Sequence, residues 1–218
     1  MSGDGGQAYH MRELEIARDP ASPAYLLPVF GPGERTVLDV GCGAGQTLIA
    51  AGADAERGAV GLDIDSEALA LGRTLTKHVE FVAGRAERLP FASESFDLVI
   101  SRVALPYAHI PRALGEMARV LKAGGRCWLV LHAPSFAWGE LLAAARRGRL
   151  RALLYQGYVL ANGLLLALLG RQFAYPLKRM RFESVQTDGS MRRALGRAGF
   201  IDVVVRRERF FVVTARRR

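Results

Sequence analysis

From Thr36 onward, short apolar runs alternate with segments whose apolar residues recur every three or four positions, the rhythm of strands followed by helices. Thr36–Val40, Ala59–Asp63, Val79–Ala83, Phe96–Ser101 and Arg126–His132 read as strands. Helices are predicted over 46–53, 66–77 and 111–121, the second capped by Asp65 or Ser66 with Glu67 in its first turn. Nearly continuous apolar strands between helices indicate a parallel sheet covered on both faces, hence an α/β fold. The C-terminal part differs. After a predicted helix at 190–198, Ile201–Arg206 and Phe210–Ala215 are separated by too few residues for a crossover, so this pair is antiparallel. Before the sheet, the pattern predicts a helix over 9–16 and a second short one over 24–30, with Gly31-Pro32-Gly33 as a linker.

Residues 133–182 break the rhythm. Within them Leu153–Leu169 is almost entirely apolar, interrupted by Gln156, Gly157, Asn162 and Gly163. Arg149, Gln156, Gly163 and Gly170 recur every seventh residue, one narrow polar or small stripe on a helix. Seventeen residues are short for a membrane span. Two readings stay open: a helix packed over the core as a lid, or an apolar surface that touches lipid or a greasy substrate, flanked by Arg146, Arg147, Arg149, Arg171, Lys178 and Arg179. The chain thus divides into an N-terminal helical cap (1–35), a core (36–132), a helical lid insertion (133–182) and a closing helix with its strand hairpin (183–218), all in one domain.

Charge sharpens the contrast between halves. The net charge is +9, yet residues 1–100 sum to −7 and residues 101–218 to +16, with +7 inside 133–182. A basic half suits nucleic acid, an anionic membrane surface or simply solvent. With 218 residues, half of them hydrophobic, the chain buries a core without disulfides, and its two cysteines, Cys42 and Cys127, fit a reducing compartment. The first residues lack the basic and apolar regions of a signal peptide. The expected location is therefore cytoplasmic, with peripheral attachment at the inner face of the membrane as the alternative.

The chemistry concentrates in Val37-Leu38-Asp39-Val40-Gly41-Cys42-Gly43-Ala44-Gly45-Gln46. A strand delivers an acid to its carboxyl end, and glycines at i, i+2 and i+4 let the backbone turn tightly against a ligand and enter a helix. The third glycine comes one residue too early for the dinucleotide pattern G-x-G-x-x-G. An acid two residues before the first glycine also suits a positively charged ligand better than a pyrophosphate. Asp63 ends the second strand, where a carboxylate can accept both hydroxyls of a ribose.

With these stretches, VGLDIDSEAL (60–69), FVAGRAERLPFASESFDLVIS (81–101), LGEMARVLKAGGRCWLVL (114–131) and the weaker LGRAGFIDVVV (195–205), the chain resembles the class I S-adenosylmethionine-dependent methyltransferases. It is most similar to their small-molecule branch of quinone and secondary-metabolite enzymes. The resemblance implies a Rossmann-like, doubly wound seven-stranded sheet, mostly parallel with its last strand antiparallel. It implies S-adenosyl-L-methionine as cofactor, no metal, and a set of roles. Asp39 and the backbone of Gly41, Cys42, Gly43, Gly45 and Gln46 would hold the amino acid end, Asp63 the ribose, Ile64 the adenine face, Ala86 and Glu87 the adenine edge, and Ser101 would sit beneath the methionine. One departure stands out: the acid common in the third loop is replaced in Gly84-Arg85-Ala86, and an arginine cannot accept the adenine amino group's hydrogen bond.

Candidates for a general base are His109 after the fourth strand and His132 at the end of the fifth, with Tyr107 a similar candidate; each histidine also reads as a satisfied or exposed side chain. His10 lies in the N-terminal helix and His78 at a strand start. The favoured function is methyl transfer to a hydrophobic small molecule, the insertion supplying an apolar pocket. Two alternatives are weighed against it: an RNA methyltransferase using the basic half, disfavoured because Ser101-Arg102-Val103-Ala104 lacks the Asn/Asp-Pro-Pro-aromatic motif of base-amino methylators, and a non-catalytic membrane-surface protein on the same fold.

Overall fold

The computed structural model describes residues 4–53, 57–177 and 181–218. Helix α1 (Asp4–Arg18) precedes a central sheet built from β1 (Thr36–Val40), β2 (Gly58–Asp63), β3 (Val79–Ala83), β4 (Phe96–Arg102), β5 (Leu121–Leu131), β6 (Phe200–Arg207) and β7 (Phe211–Arg217). The strand order is β3-β2-β1-β4-β5-β7-β6. β1 to β5 pair in parallel, and β7 runs antiparallel to both β5 and β6. The sheet is therefore the seven-stranded, mostly parallel one that the strand pattern and the resemblance anticipated. Helices α2 (Gln46–Ala50), α3 (Ser66–Leu75) and α4 (Ile110–Val120) provide the crossovers, and α7 (Asp188–Arg197) leads into the closing hairpin. Because β1 is followed outward by β2 on one side and β4 on the other, the strand order reverses at the β1/β4 boundary. A crevice opens at the carboxyl ends of strands at such a point.

Two apolar layers cover the sheet. One, around Leu38, Val99, Leu114, Met117, Leu129 and Val213, lies under α4 and α7; the other gathers Val37, Leu48, Leu69, Leu98, Ile100 and Trp128. Local signals set most boundaries. Asp65 caps α3 by accepting from the backbone N–H of Glu67 and Ala68, and Thr187 and Ser190 form a reciprocal capping box on α7. Gly52, at φ +76°, ends α2 early, so that helix stops at Ala50 and not at 53.

The expected helix over 24–30 does not form. Pro28 interrupts it and disfavours helix at the preceding residue, so the segment runs extended and lays Leu26 and Phe30 on the sheet. Residues 133–169 form two helices, α5 (Pro134–Arg146) and α6 (Leu150–Leu169), the latter three residues longer at its start than the apolar run suggested. Ala137, Val159 and Val185 make a small core of their own beneath this pair. Gly163 has a packing reason: a Cβ there would come within 2.7 Å of the Val185 carbonyl oxygen. Lys178 and Arg179, part of the expected basic flank, lie outside the described residues.

Candidate functional site

The glycine loop is shaped by close approach. Gly41, Gly43 and Gly45 all have positive φ, between 56° and 80°, where other residues are strained. A Cβ on Gly41 would fall 2.0 Å from Ala104 Cβ, so the loop is pressed against the end of β4. There Val103, a β-branched residue, sits at φ +63°, a local strain that the surrounding packing must hold.

Around this contact runs a cleft in two lobes of about 300 and 460 Å³, which share Gly41, Asp63, Ala104 and Tyr107. Both lie in the size range of small-molecule sites. The first lobe is walled by Asp63, Ile64, residues 84–87 and Leu105. Ile64 is 69% exposed, an apolar side chain left free to cover a flat ligand. The second is walled by Cys42, Gly43, Gln46 and Thr47 from the loop, by Arg102 and Val103 from β4, and by Tyr9, His10 and Glu13 from α1. Helix α1 is tied down there by the Gln46 amide against His10 Nδ1 at 2.8 Å and by an ion pair of Glu13 with Arg102 at 3.5 Å.

Two carboxylates dominate the electrostatics. Asp63 accepts from the N–H of Gly43 at 2.8 Å and of Asp65 at 2.9 Å, so the residue expected to meet a ribose also braces the loop. Asp39 is 1% exposed, and neither of its oxygens has a hydrogen-bond partner among the described residues. Burial, with Asp63 nearby, pushes its carboxyl up to about 8 against a smaller opposing pull from Arg102. A fully buried carboxyl without a partner is costly. The arrangement fits a ligand that brings a positive charge and donors to the loop.

The remaining predicted residues divide. Cys42 is buried, lines the second lobe, and its thiol is held well above its usual range by burial and the two aspartates. Ser101 is fully buried and its hydroxyl donates to the Val40 carbonyl at 2.8 Å, so it joins β4 to β1 under the loop and its side chain does not open into the cleft. Ala86 lines the first lobe. Glu87, the candidate substitute for the missing third-loop acid, accepts from the His109 N–H at 2.9 Å and pairs with Arg85 at 3.3 Å. The arginine's charge is thereby matched from within the loop.

His109 caps α4 through Nδ1, which accepts from the Arg112 N–H at 3.4 Å, and meets the Phe182 ring edge-on; it is not among the residues walling either lobe. His132 likewise walls neither lobe; it stacks on Phe136 of α5 and meets Tyr107, which lines both, edge-on at 5.5 Å. Burial lowers both histidines, which leaves His132 a neutral imidazole near pH 7. Tyr107 reaches both lobes, and burial together with Glu183 raises its phenol, so it holds its proton.

Sequence reading missed the polar group behind these aromatic residues. Glu183 pairs with Arg181 at 2.7 Å and accepts from the Tyr155 hydroxyl, while the Arg181 guanidinium lies over the rings of Tyr107 and Tyr155. Asn162 of α6 donates to the carbonyls of Phe173, Phe182 and Glu183 and accepts from the Phe173 N–H. The one signal was an asparagine inside an apolar run, which must find partners when buried.

Comparison with known proteins agrees with this geometry. Residues 38–129 match the family model described as a methyltransferase domain. The demethylmenaquinone methyltransferase of Renibacterium salmoninarum is 43% identical over 96 residues, 44% of this chain and 40% of that protein. The phthiotriol/phenolphthiotriol dimycocerosates methyltransferase of Mycobacterium leprae is 37% identical over 123 residues, covering 55% of this chain and 46% of that protein. The chain thus spans half the length or less of these curated relatives. Among solved structures, an S-adenosylmethionine-dependent methyltransferase from Mesorhizobium loti superposes with a TM-score of 0.59 at 20% identity, over 94% of this chain and all of that one, which shows a common fold.

Proposed function

We propose, from the match of residues 38–129 to the methyltransferase domain model, that this protein is an S-adenosylmethionine-dependent methyltransferase whose acceptor is a hydrophobic small molecule. The observation that carries the first half is the buried, partnerless Asp39 beneath a glycine loop braced by Asp63. Asp39 and the loop backbone would hold the cationic amino acid end of the cofactor, Asp63 the ribose, and the exposed Ile64 the adenine face. When bound, S-adenosylmethionine supplies an electrophilic methyl group on a sulfonium. The chain's own task is then alignment and exclusion of water. Helix α1 closes the second lobe, Tyr107 stands at the junction of the two lobes, and neutral His132 behind it is the candidate to take a proton from an oxygen or carbon acid.

Support for an apolar acceptor comes from what surrounds Tyr107. Phe136 lies against His132, and α5 exposes Trp138 and Leu142 beyond it, while two relatives are named for demethylmenaquinone and for phthiotriol dimycocerosates. The test is transfer of labelled methyl from S-adenosylmethionine into fractions of a host extract, with Asp63→Ala as the blank. Label in the organic-soluble metabolites supports the reading. Label in RNA or protein overturns the acceptor class, and no label together with no cofactor binding overturns the enzyme.

A further inference from the structure

The outer face of α6 is built unlike the surface of a helix that faces water. Leu150, Leu154, Gly157, Ala161, Leu164 and Leu168 follow one another at alternating spacings of four and three, one stripe along the helix, and all six are exposed. The four leucines are 58–70% exposed. Of the apolar stretch as a whole only 22% is buried, so α6 is not a core helix. An exposed stripe with no polar side chain, leucine at both ends and glycine and alanine between, marks a surface with a partner.

Charge identifies the partner. Arg146, Arg147, Arg149 and Arg151 surround the turn that enters α6, Arg171 follows its end, and all are exposed. Pairing with a second copy would set arginines on arginines in either orientation: turn against turn if the helices ran parallel, turn against Arg171 if antiparallel. An anionic lipid surface instead accepts the leucines among its acyl chains and the guanidinium groups at its phosphates.

The inner face of α6 fixes the mode of contact. Asn162 is held by three carbonyls and an N–H of residues 173–183, and Gly163 lies against Val185. A spanning helix would have to tear out these contacts and expose the asparagine to lipid. Packed as it is, α6 can only lie along the surface. We infer that the α5–α6 hairpin docks this protein in the plane of an anionic membrane, the leucine stripe in the interface and the arginines at its two ends on lipid phosphates. The inference does not rest on the methyl acceptor or on cofactor binding.

The experiment is flotation of the full chain, without cofactor, with vesicles of phosphatidylcholine and phosphatidylglycerol in a roughly two-to-one mixture, and with phosphatidylcholine alone. Wild type is expected to float with the anionic vesicles and to be released by salt. Changing Arg146, Arg147 and Arg149 together to Gln should weaken partitioning by the order of a hundredfold at low salt, about fivefold per arginine. Leu154→Glu with Leu164→Glu should weaken it by at least about tenfold at any salt. Both positions are exposed, so an unchanged circular-dichroism melt separates lost docking from lost fold. Wild type remaining in the bulk, or both variants floating like wild type, would overturn the inference. So would a dimer that ignores vesicles and becomes monomeric on Leu164→Glu, which would assign the stripe to a second copy.

Discussion

With Asp39 as the proposed partner of the ligand's ammonium group, ligand binding should release a proton. In the free protein its carboxyl sits at about 8, raised chiefly by burial, so at pH 6 about one molecule in a hundred is ionised and at pH 7 about one in ten. A ligand ammonium can pair only with the carboxylate, so binding must first expel the proton. Below the free-protein value, affinity should therefore rise with pH, about ninefold from pH 6 to pH 7. The window matters, because a ligand amino group ordinarily titrates at roughly 7.7–8.0 and would lose its own charge above it. Calorimetric titration with S-adenosylmethionine in two buffers of different ionisation enthalpy should show close to one proton released per ligand at pH 6.5. Asp39→Asn should release none and bind with a flat pH profile.

The same group has an opposite signature without ligand. Its pKa is raised on folding, so the stability it permits is full below the ordinary value near 3.8 and is lost as pH climbs to about 8. The free protein should lose on the order of several kcal/mol across that span through this residue, and Asp39→Asn should remove that slope from the melting temperature. A wild-type protein that binds the ligand with no proton release, and whose melting curve has the same pH slope as the Asn variant, would refute the reasoning.

Other sites test separate parts of the structure. Asn162→Ala takes the partner from the Glu183 carbonyl and the Phe173 N–H beneath α6, while the Phe173 and Phe182 carbonyls keep Tyr158 and Gln172, and should cost about 3 kcal/mol, seen as a fall in melting temperature of the order of 10 °C. Gly41→Ala sets a methyl 2.0 Å from Ala104 Cβ and should abolish cofactor binding; adding Ala104→Gly should restore part of it, leaving the roughly 1 kcal/mol cost of the left-handed backbone. His109→Asn keeps a side-chain acceptor at the start of α4, so stability and methyl transfer should stay near wild type. A large loss of turnover there with an unchanged melt would return His109 to the list of bases.

What was legible from the residues follows the distance over which each feature is determined. The glycine loop, the strands and the antiparallel close depend on spacing within about ten residues, and the structure reproduces them. Ser101 stands near the end of β4, but the direction of its hydroxyl depends on the Val40 carbonyl 61 positions earlier. Val103 at positive φ has no local signal, since a valine disfavours that conformation. The misread helix at 24–30 shows the opposite failure, a legible signal in Pro28 outweighed by an apolar pattern that serves the sheet instead.

The insertion shows why sequence left two readings open. On a helix that is apolar all round, periodicity cannot say which side faces the protein, because the residues on both sides have the same character. The side is chosen by the few that differ. Asn162 must satisfy its amide, and the carbonyls of Phe173, Phe182 and Glu183 offer acceptors; Gly163, beside it, lets Val185 approach. These two rotate α6 so that Leu150, Leu154, Leu164 and Leu168 face outward. The packed face and the apolar surface are thus two sides of one helix: the polar anchor that roots it behind Tyr107 is also what turns its leucines away from the protein.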